Sequence, residues 1–175
     1  MEYQHIRHEF DPVYDRNSEI LILGTLPSVK SREQRFYYGH KQNRFWKVIA
    51  ALYGEAVPVT IEEKKKILLR HHIALFDVIA ECDIAGSSDS TIRNVVPTDL
   101  SVILKQAPVR KIFANGNKAY DLYMKYSYEK TGMEAGRLPS TSPANAIFTL
   151  DRLTESWGAE IFGRTEENES VKGTV

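Results

Sequence analysis

Ile20-Leu21-Ile22-Leu23-Gly24-Thr25-Leu26-Pro27-Ser28 is the stretch that decides the fold of this chain. Four aliphatic residues in a row, with no polar alternation, are the pattern of a strand buried on both faces, as in a parallel sheet. The run ends abruptly in Gly-Thr-Leu-Pro-Ser. Proline fixes φ and serine bonds nearby backbone, so the chain turns there. Loops past the ends of parallel strands are where α/β proteins hold their ligands. The Pro-Ser pair recurs far downstream in Leu138-Pro139-Ser140-Thr141-Ser142-Pro143-Ala144-Asn145. Between the two lies an aromatic and polar stretch, Phe36-Tyr37-Tyr38-Gly39-His40-Lys41-Gln42-Asn43-Arg44-Phe45-Trp46. Three such segments could close around one flat, polar ligand such as a nucleobase.

Outward from that strand, apolar runs alternate with helical periodicity. Further buried strands are expected over residues 73–79, interrupted by Asp77, over 109–114, ended by Asn115-Gly116, and over 133–138. Helices are expected over 44–53, where Phe45, Val48, Ile49 and Leu52 recur at spacings of three and four, and over 60–70, opened by the capping box Thr60-Ile61-Glu62-Glu63. Three more are expected over 98–106, 118–130 and 148–161. Strands alternating with helices imply an α/β fold, a mostly parallel sheet covered on both faces. The two Pro-Ser loops, Asp77 and Asn115 would gather on one edge of it. Residues 1–162 read as one domain and residues 163–175 as a polar, disordered tail.

Bulk properties narrow the class. A chain of 175 residues with 42% hydrophobic and 26% charged residues is an ordinary globular domain. Zero formal net charge argues against a protein that merely coats DNA electrostatically. One cysteine, Cys82, excludes an internal disulfide framework and suits a reducing compartment; its expected role is a buried thiol. No apolar stretch is long enough to span a membrane, and Met1 to His8 lacks the apolar segment of a signal peptide. The expected address is the cytosol, or the nucleus in a cell that has one.

Several chemistries are missing. There is no Gly-x-x-x-x-Gly-Lys-Ser/Thr loop and no Gly-x-Gly-x-x-Gly after a strand. One cysteine and five scattered histidines give no zinc pattern. The remaining candidates each have two readings. Pro27 and Ser28 are turn formers or phosphate contacts. Phe36, Tyr37 and Tyr38 are core or a stacking surface for an extruded base. Asn43 is a helix cap or an amide placing a water or a base edge. Asp77 and Asp89 are turn residues or polar groups of a site. Ser140, Thr141 and Ser142 make loop bonds or grip phosphate.

In order and wording, these motifs resemble the uracil-DNA glycosylase superfamily, and within it the hypoxanthine-DNA (deoxyinosine) glycosylase branch. The resemblance covers roughly residues 8 to 160. It rests on Gly24-Thr25-Leu26-Pro27-Ser28, on Phe36-Tyr37-Tyr38-Gly39-His40 with Gln42-Asn43-Arg44-Phe45-Trp46, on Leu75-Phe76-Asp77-Val78-Ile79 with Gly86-Ser87-Ser88-Asp89-Ser90, and on the second Pro-Ser loop. It implies a three-layer α/β/α sandwich with a four-stranded parallel central sheet. The implied activity is that of a monofunctional DNA glycosylase of base excision repair. Such an enzyme flips a deaminated base, hypoxanthine, out of DNA and hydrolyses its N-glycosidic bond, without metal or cofactor, as a monomer.

The resemblance assigns the catalytic amide to Asn43. It places Thr25, Leu26, Phe36, Tyr37, Tyr38, His40 and Asn115 around the base, and Pro27, Ser28, Ser140, Thr141, Ser142 and Asn145 against DNA. Two positions depart from better-known members. Leu26 stands where they carry Asp or Asn, and Leu138 stands where many carry His or Asn before Pro-Ser. The second loop, over 142–145, offers no large apolar wedge. The alternatives are a uracil or thymine mismatch glycosylase, or a non-catalytic nucleic-acid-binding module on the same fold.

Overall fold

The computed structural model describes residues 2–163. Of the tail expected from residue 163 onward, all but Gly163 lies outside the described residues. Seven strands occur in chain order: β1 (Tyr3–Arg7), β2 (Ile20–Gly24), β3 (Ile73–Asp77), β4 (Ile79–Ala85), β5 (Arg93–Pro97), β6 (Lys111–Asn115) and β7 (Ala135–Leu138). The helices are α1 (Val29–Gln34), α2 (Phe45–Tyr53), α3 (Ile61–Arg70), α4 (Ser101–Leu104), α5 (Asn117–Tyr126), α6 (Tyr128–Thr131) and α7 (Leu150–Phe162).

The central sheet has four parallel strands in the order β3-β2-β6-β7. All five residues of β2 are buried, as its unbroken apolar run requires. Alternation along the strands sorts side chains to two faces. Ile20, Ile22, Ile73, Leu75, Phe113 and Leu138 meet α2, α3 and α7, where Phe45, Ile49, Leu68, Leu153 and Trp157 complete one core. Leu21, Leu23, Ala74, Ile112 and Ala135 face the opposite way, toward Leu100, Ile103, Leu122 and Tyr123 of the α4 and α5 region. The three-layer α/β/α arrangement is therefore present.

The second layer also holds a sheet that the sequence reading missed. Strands β1, β4 and β5 form a three-stranded antiparallel sheet, whose Ile6, Ile79, Cys82 and Ile84 pack into the second core. The single strand expected over 73–79 ends at Asp77, and the chain re-forms as β4 after Val78. At this point the chain passes from one sheet to the other: Val78 N–H donates to Gly24 O at 2.8 Å and Ile79 N–H to Thr25 O at 3.1 Å, while Val78 O accepts from Thr98 N–H and Ile79 pairs with Pro97 of β5. The helix expected over 118–130 is likewise two pieces, broken at Ser127. The helix expected over 98–106 shrinks to α4. The capping box at Thr60 forms as expected.

Helix α1 was not foreseen. Ser28 caps it, its Oγ accepting from Ser31 N–H at 3.2 Å, so the Pro-Ser turn of the first loop is also a helix start. Among the described residues no helix is long and apolar enough to cross a membrane.

Candidate active site

The C-terminal ends of β2, β3 and β6, and the loops that follow β2 and β7, open into one cleft of about 560 Å³. Its floor is a close approach of two parallel strands. Gly24 and Asp77 are register partners, and a Cβ at Gly24 would lie 2.4 Å from Asp77 Oδ1 and 2.8 Å from the Tyr38 hydroxyl oxygen. Glycine is therefore required there by space, because side chains from two other segments occupy the position a methyl would take.

Asp77 is 3% exposed and lines the cleft. His8 Nε2 is its partner, 2.8 Å from Oδ2. His8 in turn sits among the rings of Phe10, Tyr37 and Phe76. No motif in the sequence assigns His8 a role, and Asp77 by itself fits a turn residue or a site group equally. Its interruption of an apolar strand was the available signal: an acid in a buried run needs a partner.

The aromatic stretch divides in two. Phe36 does not reach the cleft. It is 4% exposed and lies nearly parallel to Trp46, with centroids 6.0 Å apart, in the α2 core. Apolar packing wins for it, and the expectation of base stacking at Phe36 is corrected. Tyr37 touches the cleft wall but is 2% exposed, and its hydroxyl donates to Asp11 O at 2.8 Å. Tyr38 is the aromatic best placed. Its φ of 53° is left-handed, uncommon for a bulky residue. The ring stacks on Phe45 at 4.1 Å, and its hydroxyl accepts from Asn115 Nδ2 at 3.2 Å. Burial and the Asp77 carboxylate push the phenols of both Tyr37 and Tyr38 well above the usual tyrosine range.

A chain of hydrogen bonds joins the three segments. Asn115, at the end of β6, donates from Nδ2 to Thr141 Oγ1 at 3.0 Å and accepts the Thr141 N–H on Oδ1 at 3.1 Å. The Thr141 hydroxyl donates to Asn43 Oδ1 at 2.9 Å. The same Oδ1 accepts the Phe45 N–H at 2.9 Å. The N-cap of α2 is Arg44, which makes no side-chain cap bond, so the cap reading of Asn43 is corrected: it stands one residue before the cap, holds the Phe45 N–H and lines the cleft. Thr141 is fully buried with both hydroxyl functions engaged. It cannot grip phosphate through that hydroxyl, which corrects the expectation for it.

Thr25, Leu26, Pro27, Ser28, His40, Ser140, Ser142 and Asn145 all line the cleft, with Asn43 and Asn115. Gln42 N–H donates to His40 Nδ1 at 3.1 Å, which leaves Nε2 as the ring's other nitrogen to meet a ligand. Leu138 is absent from the lining. It is fully buried in the α2 and α7 core.

Arg44, next to Asn43, clamps the second loop. Its guanidinium donates to the carbonyls of Ser142 and Asn145, each at 3.0 Å, and to that of Phe148, while its backbone N–H donates to Thr141 O at 3.1 Å. Arg152 adds a bond to Ile147 O at 3.2 Å and lies over the Phe148 ring. Held in this way, the loop carries Ile147 with 79% of its surface exposed. No periodicity marks these three residues in the sequence. Among the described residues, no group of three or more His, Cys, Asp or Glu side chains could hold a metal ion.

A cleft at the carboxyl edge of a parallel sheet, walled by two polar loops and floored by an acid, an amide and a tyrosine, is the ligand site of an α/β enzyme. Comparison with known proteins names the family. The model of the uracil DNA glycosylase superfamily matches residues 12–161, and the chain belongs to that superfamily. It is a DNA glycosylase, a hydrolase of N-glycosyl bonds. A Methanosarcina acetivorans protein named hypoxanthine DNA glycosylase is 38% identical over 160 residues, 88% of this chain and 97% of that protein. A Methanosarcina barkeri protein of the same name is 33% identical over 159 residues, 89% of this chain and 97% of its own length. A solution structure from Methanosarcina acetivorans, provisionally described as a uracil DNA glycosylase, superposes with a TM-score of 0.73 at 38% identity, covering 86% of this chain and 92% of that one.

Proposed function

We propose that this glycosylase removes hypoxanthine from deoxyinosine in DNA, with Asn43 as the catalytic amide. The observation that carries the reading is the cleft itself. Leu26 lines it where a water-activating acid would otherwise stand, and Asn43 lines it with an amide nitrogen that makes no hydrogen bond within the described residues. The names of the two Methanosarcina relatives agree with the purine specificity.

In this reading the flipped base enters with its face against Tyr38. The fixed carboxylate of Asp77 suits the N1–H of hypoxanthine, whereas adenine presents a bare N1 lone pair there. Extrusion costs a few kcal/mol, least for a mispaired base. Ser28, Ser140, Ser142 and Asn145, with loop N–H groups, set the register on the phosphates. Ile147 fills the gap left in the stack, since a rigid loop that holds an aliphatic side chain in water suits insertion between bases. The enzyme acts as a monomer in the compartment that holds the DNA, the cytosol in a cell without a nucleus.

The test is single-turnover excision from duplexes containing deoxyinosine, deoxyuridine or deoxyxanthosine, with Asn43→Ala alongside. Fastest cleavage at deoxyinosine, lost in the variant, is the expected result. Preference for deoxyuridine would replace the purine reading with a uracil one.

A further inference from the structure

We propose that Asn43 acts as a hydrogen-bond donor, giving its amide N–H₂ to the departing base, and that Thr141 and Asn115 are positioning residues that hold it in that sense. The inference rests on the reading of Asn43 as the catalytic amide and adds which end of the amide meets the substrate.

An amide oxygen has two lone pairs and its nitrogen two protons. Both lone pairs of Asn43 Oδ1 are used inside the protein, one by the Phe45 N–H and one by the Thr141 hydroxyl, each at 2.9 Å. A backbone N–H can only donate, so the first contact fixes which end of the amide is oxygen. The second contact has a fixed sense as well. Asn115 Nδ2 donates to Thr141 Oγ1, which directs the hydroxyl proton toward Asn43. Asn115 is itself locked by the Thr141 N–H on its oxygen and the Tyr38 hydroxyl on its nitrogen. Turning the Asn43 amide over would set its N–H₂ against the Phe45 N–H and break the Thr141 bond. Nδ2 makes no hydrogen bond within the described residues, and Asn43 lines the cleft.

This polarity suits one part of the reaction. Hydrolysis forms a bond from a water oxygen to C1′ and breaks the C1′–N bond. The base takes the electron pair and, in the net reaction, one proton of that water. Oδ1 has no lone pair left for the water's proton. A pre-placed N–H₂ can meet the electron pair as it arrives on the base, and a fixed donor aimed at developing negative charge is worth roughly 10²–10³ in rate.

Asn43→Asp separates donor from acceptor. The carboxylate keeps an acceptor for both Phe45 N–H and Thr141 O–H, so the local fold is retained, but it offers no donor and brings negative charge to the departing base. In single-turnover excision of hypoxanthine from duplex DNA, Asn43→Ala should lose roughly 10²–10³-fold, and Asn43→Asp at least as much. Asn43→Asp faster than Asn43→Ala would overturn the donor role while leaving Asn43 catalytic. Asn43→Ala at the parental rate would overturn both. Thr141→Val should cost at least about tenfold, and Thr141→Ser should restore most of it; equal losses in the two would reduce Thr141 to packing and sink its positioning role.

Discussion

His8 Nε2 lies 2.8 Å from Asp77 Oδ2, and the two side chains are only 2% and 5% exposed. The pair links the segment after β1 to the end of β3, across 69 residues of sequence. It fixes one oxygen of the Asp77 carboxylate on the cleft floor and leaves the other beside Gly24.

Removing one member of a buried pair strands the other. His8→Ala should therefore lower stability by about 3 kcal/mol, at the low end for a buried pair because Asp77 borders the open cleft. A carboxylate that can swing should also slow excision, by up to about 10²-fold if it misplaces the base by an ångström. Urea unfolding and single-turnover kinetics check the two halves, and His8→Gln, which keeps a donor, should recover part of both.

Gly24→Ala puts a methyl 2.4 Å from Asp77 Oδ1 and 2.8 Å from the Tyr38 hydroxyl. Both groups are held, Asp77 by His8 and Tyr38 by Asn115 and Phe45, so neither yields cheaply. We expect a loss of about 1–3 kcal/mol, the usual range for overpacking, with excision impaired beyond what the lost stability accounts for. A fully active, fully stable variant would show that the floor is looser than this geometry.

Ile147→Ala tests the wedge. Truncation removes three carbon groups, about 2 kcal/mol of contact at roughly 0.8 each. Excision from duplex DNA should fall about 10- to 50-fold, whereas a single-stranded substrate, which has no stack to open, should be cleaved as before. The folded protein should be no less stable, since the side chain is 79% exposed. Equal loss on both substrates would mean that Ile147 serves some other step.

Alkaline pH should destabilise the protein through Tyr37 and Tyr38. Both phenols are raised, first by burial and then by the Asp77 carboxylate. In the unfolded chain they ionise near pH ~10. Above that pH the unfolded state binds fewer protons than the folded one, so stability falls as pH rises. Below it, their contribution is fully present. Tyr38→Phe should flatten the decline in melting temperature above pH ~10, and an unchanged slope would show that Tyr38 does not carry it.

Much of this fold was legible in the sequence because its signals are local. An unbroken aliphatic run such as 20–23, stopped at once by Gly-Thr-Leu-Pro-Ser, is too short for a buried helix and fits a strand covered on both faces, and helical spacing and a capping box sufficed to place α2 and α3. Strands β1, β4 and β5 were illegible for the opposite reason. β1 and β5 are mostly exposed and carry no unbroken apolar run, and β4 mixes Glu81 and Asp83 with its apolar residues, so none shows the continuous aliphatic pattern that marks β2. The switch at Val78 from one sheet to the other is set by pairing with β2 on one side and β5 on the other, which nothing near residue 78 announces.

The site divides along the same line. By itself, the sequence determined which residue types are present, the order of the two Pro-Ser loops around the aromatic stretch, and hence the family. Only the tertiary structure decided what each does: Phe36 belongs to the core, Thr141 holds Asn43 instead of facing DNA, His8 reaches Asp77, and Arg44 fixes the loop that exposes Ile147. Those outcomes turn on hydrogen bonds and ring packing between residues distant in sequence. A donor's direction, or the end of an amide left free, exists only once every competing partner is in place.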